Sequence, residues 1–375
     1  MYRFVLALAL CACASAYLAP LYKAKEGAVL PNKYIVSLHD GVSKADIIDQ
    51  MQIVLNAKRL DGIVHRQFKK VINGFAADLP EVIVNWLRTL EEVEFIEEEQ
   101  IYRAAETWGL DRVDQADLPL DDSFTPRGTG SGTNVYVIDT GINYDHNDFG
   151  GRAKYFDDQI GSGGSDCNGH GSHCAGTVGG ATWGVAKSAN LWAVRVLGCT
   201  GSGSTSGVVS GMDNVASGGS LPGVASMSLG GGTSLVMDRA VNTLKSAGFV
   251  VVVAAGNDNS DACNYSPARA ASAITVGATD INDRRSSFSN YGDCLDIFAP
   301  GTSITSCWWT GTDSTRTISG TSMACPHVAG ACAVLLGASP NSSPNQIESQ
   351  LLSLASMNKI SDVQGSVNAM LYIGN

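Results

Sequence analysis

Three short segments of the chain hold, in order, a carboxylate, an imidazole and a hydroxyl. Val137-Ile138-Asp139-Thr140-Gly141 puts an acid at the end of an apolar run. Asn168-Gly169-His170-Gly171-Ser172-His173 opens a helical stretch with a base, and Ser319-Gly320-Thr321-Ser322-Met323-Ala324 sets a serine at another helix start. Nucleophilic acyl transfer requires this trio: serine alone is a weak nucleophile, histidine takes its proton, and aspartate fixes the histidine tautomer and stabilises the imidazolium. A fourth segment, Ala254-Ala255-Gly256-Asn257, ends a second apolar run with an amide. Taken singly, each has a plainer reading. A strand-terminal Asp is often a turn former, Gly-Thr-Ser is often a helix cap, and Asn257 could close a loop. Cys167, His170, His173 and Cys174 are zinc-ligand types, but their spacing matches no common zinc finger.

These residues need elements to position them. Strands are expected at 134–138, 191–196, 225–229, 250–255, 274–276 and 295–298, with helices near 169–178, 205–216, 235–247 and 321–336. Strands alternating with helices predict an α/β fold, a mostly parallel sheet with helices on both faces. Sites in such sheets form at the carboxyl ends of strands, where Asp139 and Asn257 fall.

Residues before Trp108 have another texture. A strand at 34–38, a helix at 44–55, strands at 63–68 and 75–79, a helix at 80–90 and a strand at 93–96 give the order βαββαβ. That order predicts a small ferredoxin-like α+β module. At the very start, one positive charge, an apolar run from Phe4 to Ala14 and the small residues Ala14-Ser15-Ala16 read as a signal peptide over 1–16. The run is too short for a bilayer, which takes roughly 20 residues, and no later apolar segment is expected to span one. Secretion into the extracellular space follows, and with it the possibility of disulfides. The 375 residues carry 25 basic and 36 acidic side chains, a net charge of −11. That balance excludes sequence-independent nucleic-acid binding, which needs basic surface. Ten cysteines leave eight after position 16. Cys325 and Cys332, seven apart on one expected helix, stand roughly 10 Å apart and cannot bridge each other.

The order Asp, His, Ser is that of subtilisin, distinct from chymotrypsin and the α/β-hydrolases. From Trp108 to about Ala338 the chain closely resembles the subtilisin-like serine peptidases. The resemblance lies in Val137-Ile138-Asp139-Thr140-Gly141-Ile142, His170-Gly171-Ser172-His173-Cys174-Ala175-Gly176-Thr177 and Gly320-Thr321-Ser322-Met323-Ala324, and it points to the proteinase K branch and its aqualysin-like members. It implies an endopeptidase with Asp139, His170 and Ser322 as catalytic triad and Asn257 as oxyanion donor. It also implies that Gly201, Gly203, Ser228, Leu229 and Gly230 hold an extended substrate as an added strand. Ala254, Ala255 and Gly256 would line a roomy pocket for apolar or aromatic side chains. Val71-Ile72-Asn73-Gly74-Phe75-Ala76-Ala77 and Val93-Glu94-Phe95-Ile96-Glu97 resemble the inhibitory propeptide of the same peptidases. The expected domains are thus signal 1–16, propeptide 17–103 and peptidase 104–375, with self-cleavage between Tyr102 and Glu106, after Arg103. The resemblance further implies disulfides Cys167–Cys199 and Cys263–Cys294, while Cys174, one helical turn from His170, is expected to be a buried free thiol beneath the base. Cys307 depart from the pattern along with Cys325 and Cys332, and a bond from Cys307 to either of these stays open. Structural calcium is implied at Asp111, Asp114, Gln115, Asp121 and Ser123. A second site is implied at Asp296 with the carbonyls of Ala271 and Ala273, where the family has proline at 271. No catalytic metal or organic cofactor is expected. The expected partners are protein and peptide substrates and the chain's own propeptide, with no nucleic acid and no membrane, and the protein is expected to be a monomer. The rival function is a catalytically silent secreted binding protein on this fold that retains its propeptide.

Overall fold

The computed structural model describes residues 18–23, 29–68, 72–100, 107–161 and 163–375. The signal segment and the expected cleavage bond lie outside the described residues, as does Val71. The chain divides into two compact units, Met1–Ala104 and Ala105–Asn375.

In the first unit, strands Val29–Leu38, Ile63–Gln67, Gly74–Asp78 and Val93–Gln100 and helices Lys44–Lys58 and Glu81–Leu87 follow the expected order. Val29–Leu38 lies between Val93–Gln100 and Gly74–Asp78, antiparallel to both, and Ile63–Gln67 pairs antiparallel on the far side of Gly74–Asp78. A two-residue strand, Leu21–Tyr22, adds a parallel edge that its length hides from any periodicity. Ile47, Met51 and Leu55, spaced by four on one helix face, meet Ile83, Val84 and Leu87 over Val36, Phe75 and Ile96. Pro80 is the N-cap of its helix, one residue outside the expected first turn.

The second unit is built on a nine-stranded sheet. From edge to edge its order is Ser356–Met357, Ala369–Met370, Ile297–Pro300, Ile274–Thr279, Val250–Ala254, Gly223–Met227, Asn134–Asp139, Asn190–Arg195, Ala153–Asp158. All neighbours run parallel except Ser356–Met357 with Ala369–Met370. The period of two sorts each strand between two cores. Val135, Val137, Val250 and Val252 face one core with helices His170–Gly179 and Thr321–Ala338. Tyr136, Ile138, Val251 and Val253 face the other with helices Thr205–Gly218 and Leu235–Ser246.

Several elements were not expected. Ala153–Asp158 is an edge strand whose charged residues mask its pattern. Ile304–Cys307 and Thr315–Ile318 form an antiparallel hairpin. Helix Pro344–Leu354 begins with a capping box between Ser343 and Gln346 and proline in its first turn, both legible in the sequence. One later helix does have the length and apolarity of a membrane span, contrary to expectation. It is Thr321–Ala338, which is a core helix with most of its surface buried inside the unit.

Two buried imidazoles lie among these layers, and the first of them ties two elements together. His173 Nε2 lies 3.0 Å from the Ile304 carbonyl and 3.1 Å from that of Arg316, joining its helix to the hairpin. His327 Nδ1 lies 2.8 Å from the Met323 carbonyl. Burial pushes both down to about 4. Because the folded values lie below the unfolded value of about 6.5, their contribution is complete above that pH and lost as pH falls towards 4, up to about 3 kcal/mol per imidazole. Thermal melts at stepped pH should therefore decline through this window, and His327→Leu should flatten the decline. A melting temperature constant from pH 6.5 to 4.5 would contradict it.

Candidate active site

Asp139 is the last residue of the strand Asn134–Asp139 and has no exposed surface. The chain leaves this strand towards Asn190–Arg195 on one side and later returns to Gly223–Met227 on the other, so Asp139 marks the topological switch point. Its Oδ1 accepts the Thr140 N–H at 2.7 Å. His170 begins the helix His170–Gly179. Gly169 before it has φ +109°, and a Cβ there would lie 2.4 Å from the Trp308 ring, so only glycine fits. His170 Nδ1 lies 2.8 and 2.9 Å from the two oxygens of Asp139. A carboxylate can only accept, so Nδ1 donates and Nε2 is left as the basic nitrogen. Burial pulls the imidazole down, but the Asp139 charge outweighs it and holds His170 well above its ordinary value.

Ser322 is the second residue of helix Thr321–Ala338. Pro326 lies four residues on and has no N–H, so the helix leaves the Ser322 carbonyl unclaimed. Ser228 Oγ donates to it at 2.9 Å and Cys174 Sγ at 3.4 Å. The Ser322 hydroxyl itself donates to the Ser228 carbonyl at 3.2 Å. Nearby Ser172 is buried and gives its hydroxyl proton to Asp166, so it offers no nucleophile. Asn257 is exposed, with Oδ1 accepting from the Thr321 N–H (2.8 Å) and Oγ1 (3.0 Å). Its Nδ2 donors are thereby turned outwards. Asn290, which the sequence reading missed, holds that loop: it accepts from the N–H groups of Asp258 and Ser260 and donates to the Ala255 carbonyl.

Two cavities share the Ser228–Gly232 segment. One of about 470 Å³ is lined by His170, Gly201, Gly203, Ser228, Leu229 and Gly230. The other, about 360 Å³, is lined by Ala254, Ala255, Gly256, Asn257 and Ser322 together with the shared segment. The structure thus brings all eight residues expected to line the substrate cleft to the side of Ser322 and His170.

Cys167–Cys199 and Cys263–Cys294 are disulfides, while Cys174, Cys307, Cys325 and Cys332 are buried free thiols. The open Cys307 pairing is therefore not made, and Cys307 Sγ instead faces Asp148 Oδ2 at 3.6 Å. Zinc at Cys167 is removed by its disulfide. Among the described residues, Asp139, His170 and Cys174 bring ligand atoms within 4.8 Å of one another, but this is the histidine's own hydrogen-bonded surrounding.

The residues expected to hold calcium offer oxygen only, which suits a hard cation. Asp121 N–H is shared by Asp111 Oδ1 (3.2 Å) and Gln115 Oε1 (3.1 Å), and Asp121 Oδ1 accepts from Ser123 Oγ at 2.8 Å. Asp114 Oδ1 is buried without a hydrogen-bond partner, and burial pushes its carboxyl up to about 6. At the second position Asp296 is likewise pushed up to about 6 by burial, with Oδ2 on the Thr275 N–H at 2.8 Å. Ala273 is buried and Ala271 exposed.

A parallel sheet with an Asp–His pair at its switch point and a serine on a facing helix start defines a serine hydrolase of the subtilisin class. The chain belongs to the subtilase family, whose model matches residues 130–367, and the peptidase inhibitor I9 model matches residues 33–105. It is a subtilisin-like serine endopeptidase preceded by a propeptide of the inhibitor type. It is 46% identical to the extracellular serine proteinase of Thermus sp., over 96% of this chain and 93% of that protein. It is 45% identical to proteinase R of Parengyodontium album, over 94% and 92%. With alkaline serine exoprotease A of Vibrio alginolyticus it shares 48% identity over 84% of this chain, spanning 62% of that longer relative. A solved cold-adapted subtilisin-like serine proteinase is 52% identical and superposes with a TM-score of 0.71, over 72% of this chain and 99% of that one.

Nuclear magnetic resonance of the imidazole protons should find His170 titrating above 6.5 and Asp139→Asn returning it to that value or below. An unchanged midpoint in Asp139→Asn would show that the carboxylate is not the cause.

Proposed function

We propose that Asp139, His170 and Ser322 act as a catalytic triad, with Asn257 Nδ2 and the Ser322 N–H stabilising the oxyanion, in an exported protease that matures by its own cleavage. The observation that carries this reading is the two-oxygen grip of Asp139 on His170 Nδ1, at 2.8 and 2.9 Å. It presents Nε2 as a base whose positive form is stabilised as soon as it takes the serine proton. The hydroxyl turns from the Ser228 carbonyl to Nε2 and attacks the peptide carbonyl, and the imidazolium then returns the proton to the leaving amine. Loss of an oxyanion donor such as Asn257 costs roughly 100- to 1000-fold in turnover. The small side chains of Ala254, Ala255 and Gly256 suit a broad specificity that favours apolar and aromatic residues.

The domains follow as signal 1–16, propeptide 17–103 and peptidase 104–375, with cleavage after Arg103. Expressed as full precursor, the wild type should yield a product starting near Ala104, and Ser322→Ala should keep its propeptide and lose activity by about 10⁶-fold. Equal processing of both would assign maturation to another protease.

Calcium is proposed as a structural ion held by Asp111, Asp114, Gln115, Asp121 and Ser123, and at a second site by Asp296 with the carbonyls of Ala271 and Ala273. The orphaned Asp114 Oδ1 supports the first. An ion bound only to the folded state adds about 2.7 kcal/mol at a hundredfold excess over Kd. Chelation should lower the melting temperature and speed autolysis while initial rates on a small peptide hold, and Asp114→Ala and Asp296→Ala should each remove part of the shift. A melting temperature indifferent to chelator would exclude both sites.

A further inference from the structure

We infer that Asp166 is a positioning residue that sets the Asp139–His170 geometry, an inference that rests on the triad proposed above. Asp166 is 5% exposed and stands between the strand that carries Asp139 and the helix that carries His170. Its two oxygens collect five donors. Oδ1 accepts Thr140 Oγ1, Asn168 N–H and Gly169 N–H, each at 2.9 Å. Oδ2 accepts Ser172 N–H at 2.9 Å and Ser172 Oγ at 2.7 Å.

These donors are not a random set. A helix start leaves its first N–H groups without partners, and here they are satisfied by Asp166 or by groups Asp166 holds. Ser172 N–H goes to Asp166 itself. Gly171 N–H goes to Thr140 Oγ1 at 2.8 Å, whose own proton lies on Asp166. His170 N–H goes to Asn168 Oδ1 at 3.2 Å, and the Asn168 backbone lies on Asp166. Thr140 follows Asp139 directly and donates its N–H to that carboxylate at 2.7 Å. The strand end and the helix start are therefore clamped through one buried carboxylate, and the separation of Asp139 from His170 Nδ1 is set by that clamp. Only a carboxylate does this. An asparagine keeps one acceptor oxygen and turns an NH₂ group towards either Ser172 or the Thr140, Asn168 and Gly169 donors.

The test uses the mature enzyme, with concentrations fixed by titration with a sulfonyl fluoride that reacts with the active serine. Asp166→Asn should lower kcat about 100-fold, the scale expected for a displacement of about 1 Å in a catalytic group. KM for a short peptide anilide should stay within about threefold, because the segments Ser228–Gly232 and Ala254–Asn257, which line most of the cleft, make no hydrogen bond to Asp166. The titratable groups facing His170 are Asp139 from the strand and Cys174 from its own helix. Loosening the first should move the acid limb of kcat/KM to lower pH, which a loss of stability alone would not do. If Asp166→Asn does not fold, Thr140→Val carries the test: it fills the same space, leaves Asp166 in place and removes the bridging hydroxyl. It should shift the limb in the same direction, and Thr140→Ser should recover most of the loss. Turnover within threefold of wild type and an unmoved limb in Asp166→Asn, or in Thr140→Val, would overturn the proposal even if the melting temperature falls. Ser322→Ala, freed of its propeptide by an added unrelated protease and quantified by absorbance because it lacks the titratable serine, is measured alongside. Activity retained there would sink the triad reading and this inference with it, whereas a dead Ser322→Ala beside a wild-type-like Asp166→Asn removes the positioning role alone.

Discussion

A carboxylate with no exposed surface ends an interior strand of the sheet, and a buried charge without partners costs several kcal/mol. Much of the surrounding architecture answers that constraint. Asp139 needs donors at fixed places, and it receives one from the next peptide unit and another from an imidazole 31 positions later. The imidazole must then arrive at a helix start, which requires a left-handed residue before it, and Gly169 provides one. The loop that delivers it is tied down again by the Cys167–Cys199 bridge. Chain closure of this size is worth about 3–4 kcal/mol in the entropy model.

The opposite wall of the cleft follows a different logic. Helix Thr321–Ala338 is apolar on every side because it runs between the sheet and two other helices, so periodicity gives no face to it. Its polarity is concentrated at the first turn, where a proline four residues on frees one carbonyl and a serine from another strand's end takes it up. A sequence of small residues here serves close packing and leaves Thr321 and Ser322, at the first turn, to line the cleft.

The parts that read well from sequence were those whose signal is local. Apolar runs ending in Asp139 or Asn257 announce buried parallel strands with a polar residue at the carboxyl end, and both lie there. The module order of the first unit was legible because each strand and helix there has its own period. What escaped was carried by contacts distant in the chain. Asp166 looks like any turn-forming aspartate, since four of its five donors lie within six residues, and only its bond to Thr140, 26 positions back, marks it out; Asn290 lies 30 to 35 positions from the groups it steadies. The hairpin Ile304–Cys307 with Thr315–Ile318 is short and partly polar, and Ala153–Asp158 is an edge strand whose outward face is wet. Cys307 could not be assigned from spacing, since its environment is a carboxylate from a distant turn rather than another sulfur.

Asn257 shows what such contacts accomplish. Amide side chains in solution exchange two nearly equal orientations, oxygen and nitrogen trading places. Here both the N–H and the hydroxyl of Thr321 address the same oxygen, so one orientation is suppressed in the empty cleft. The gap between the two states is created by the helix that also carries Ser322. Any displacement of that helix start would therefore misalign the Ser322 hydroxyl and the Asn257 amide together, and the two would fail as a single unit rather than one after the other.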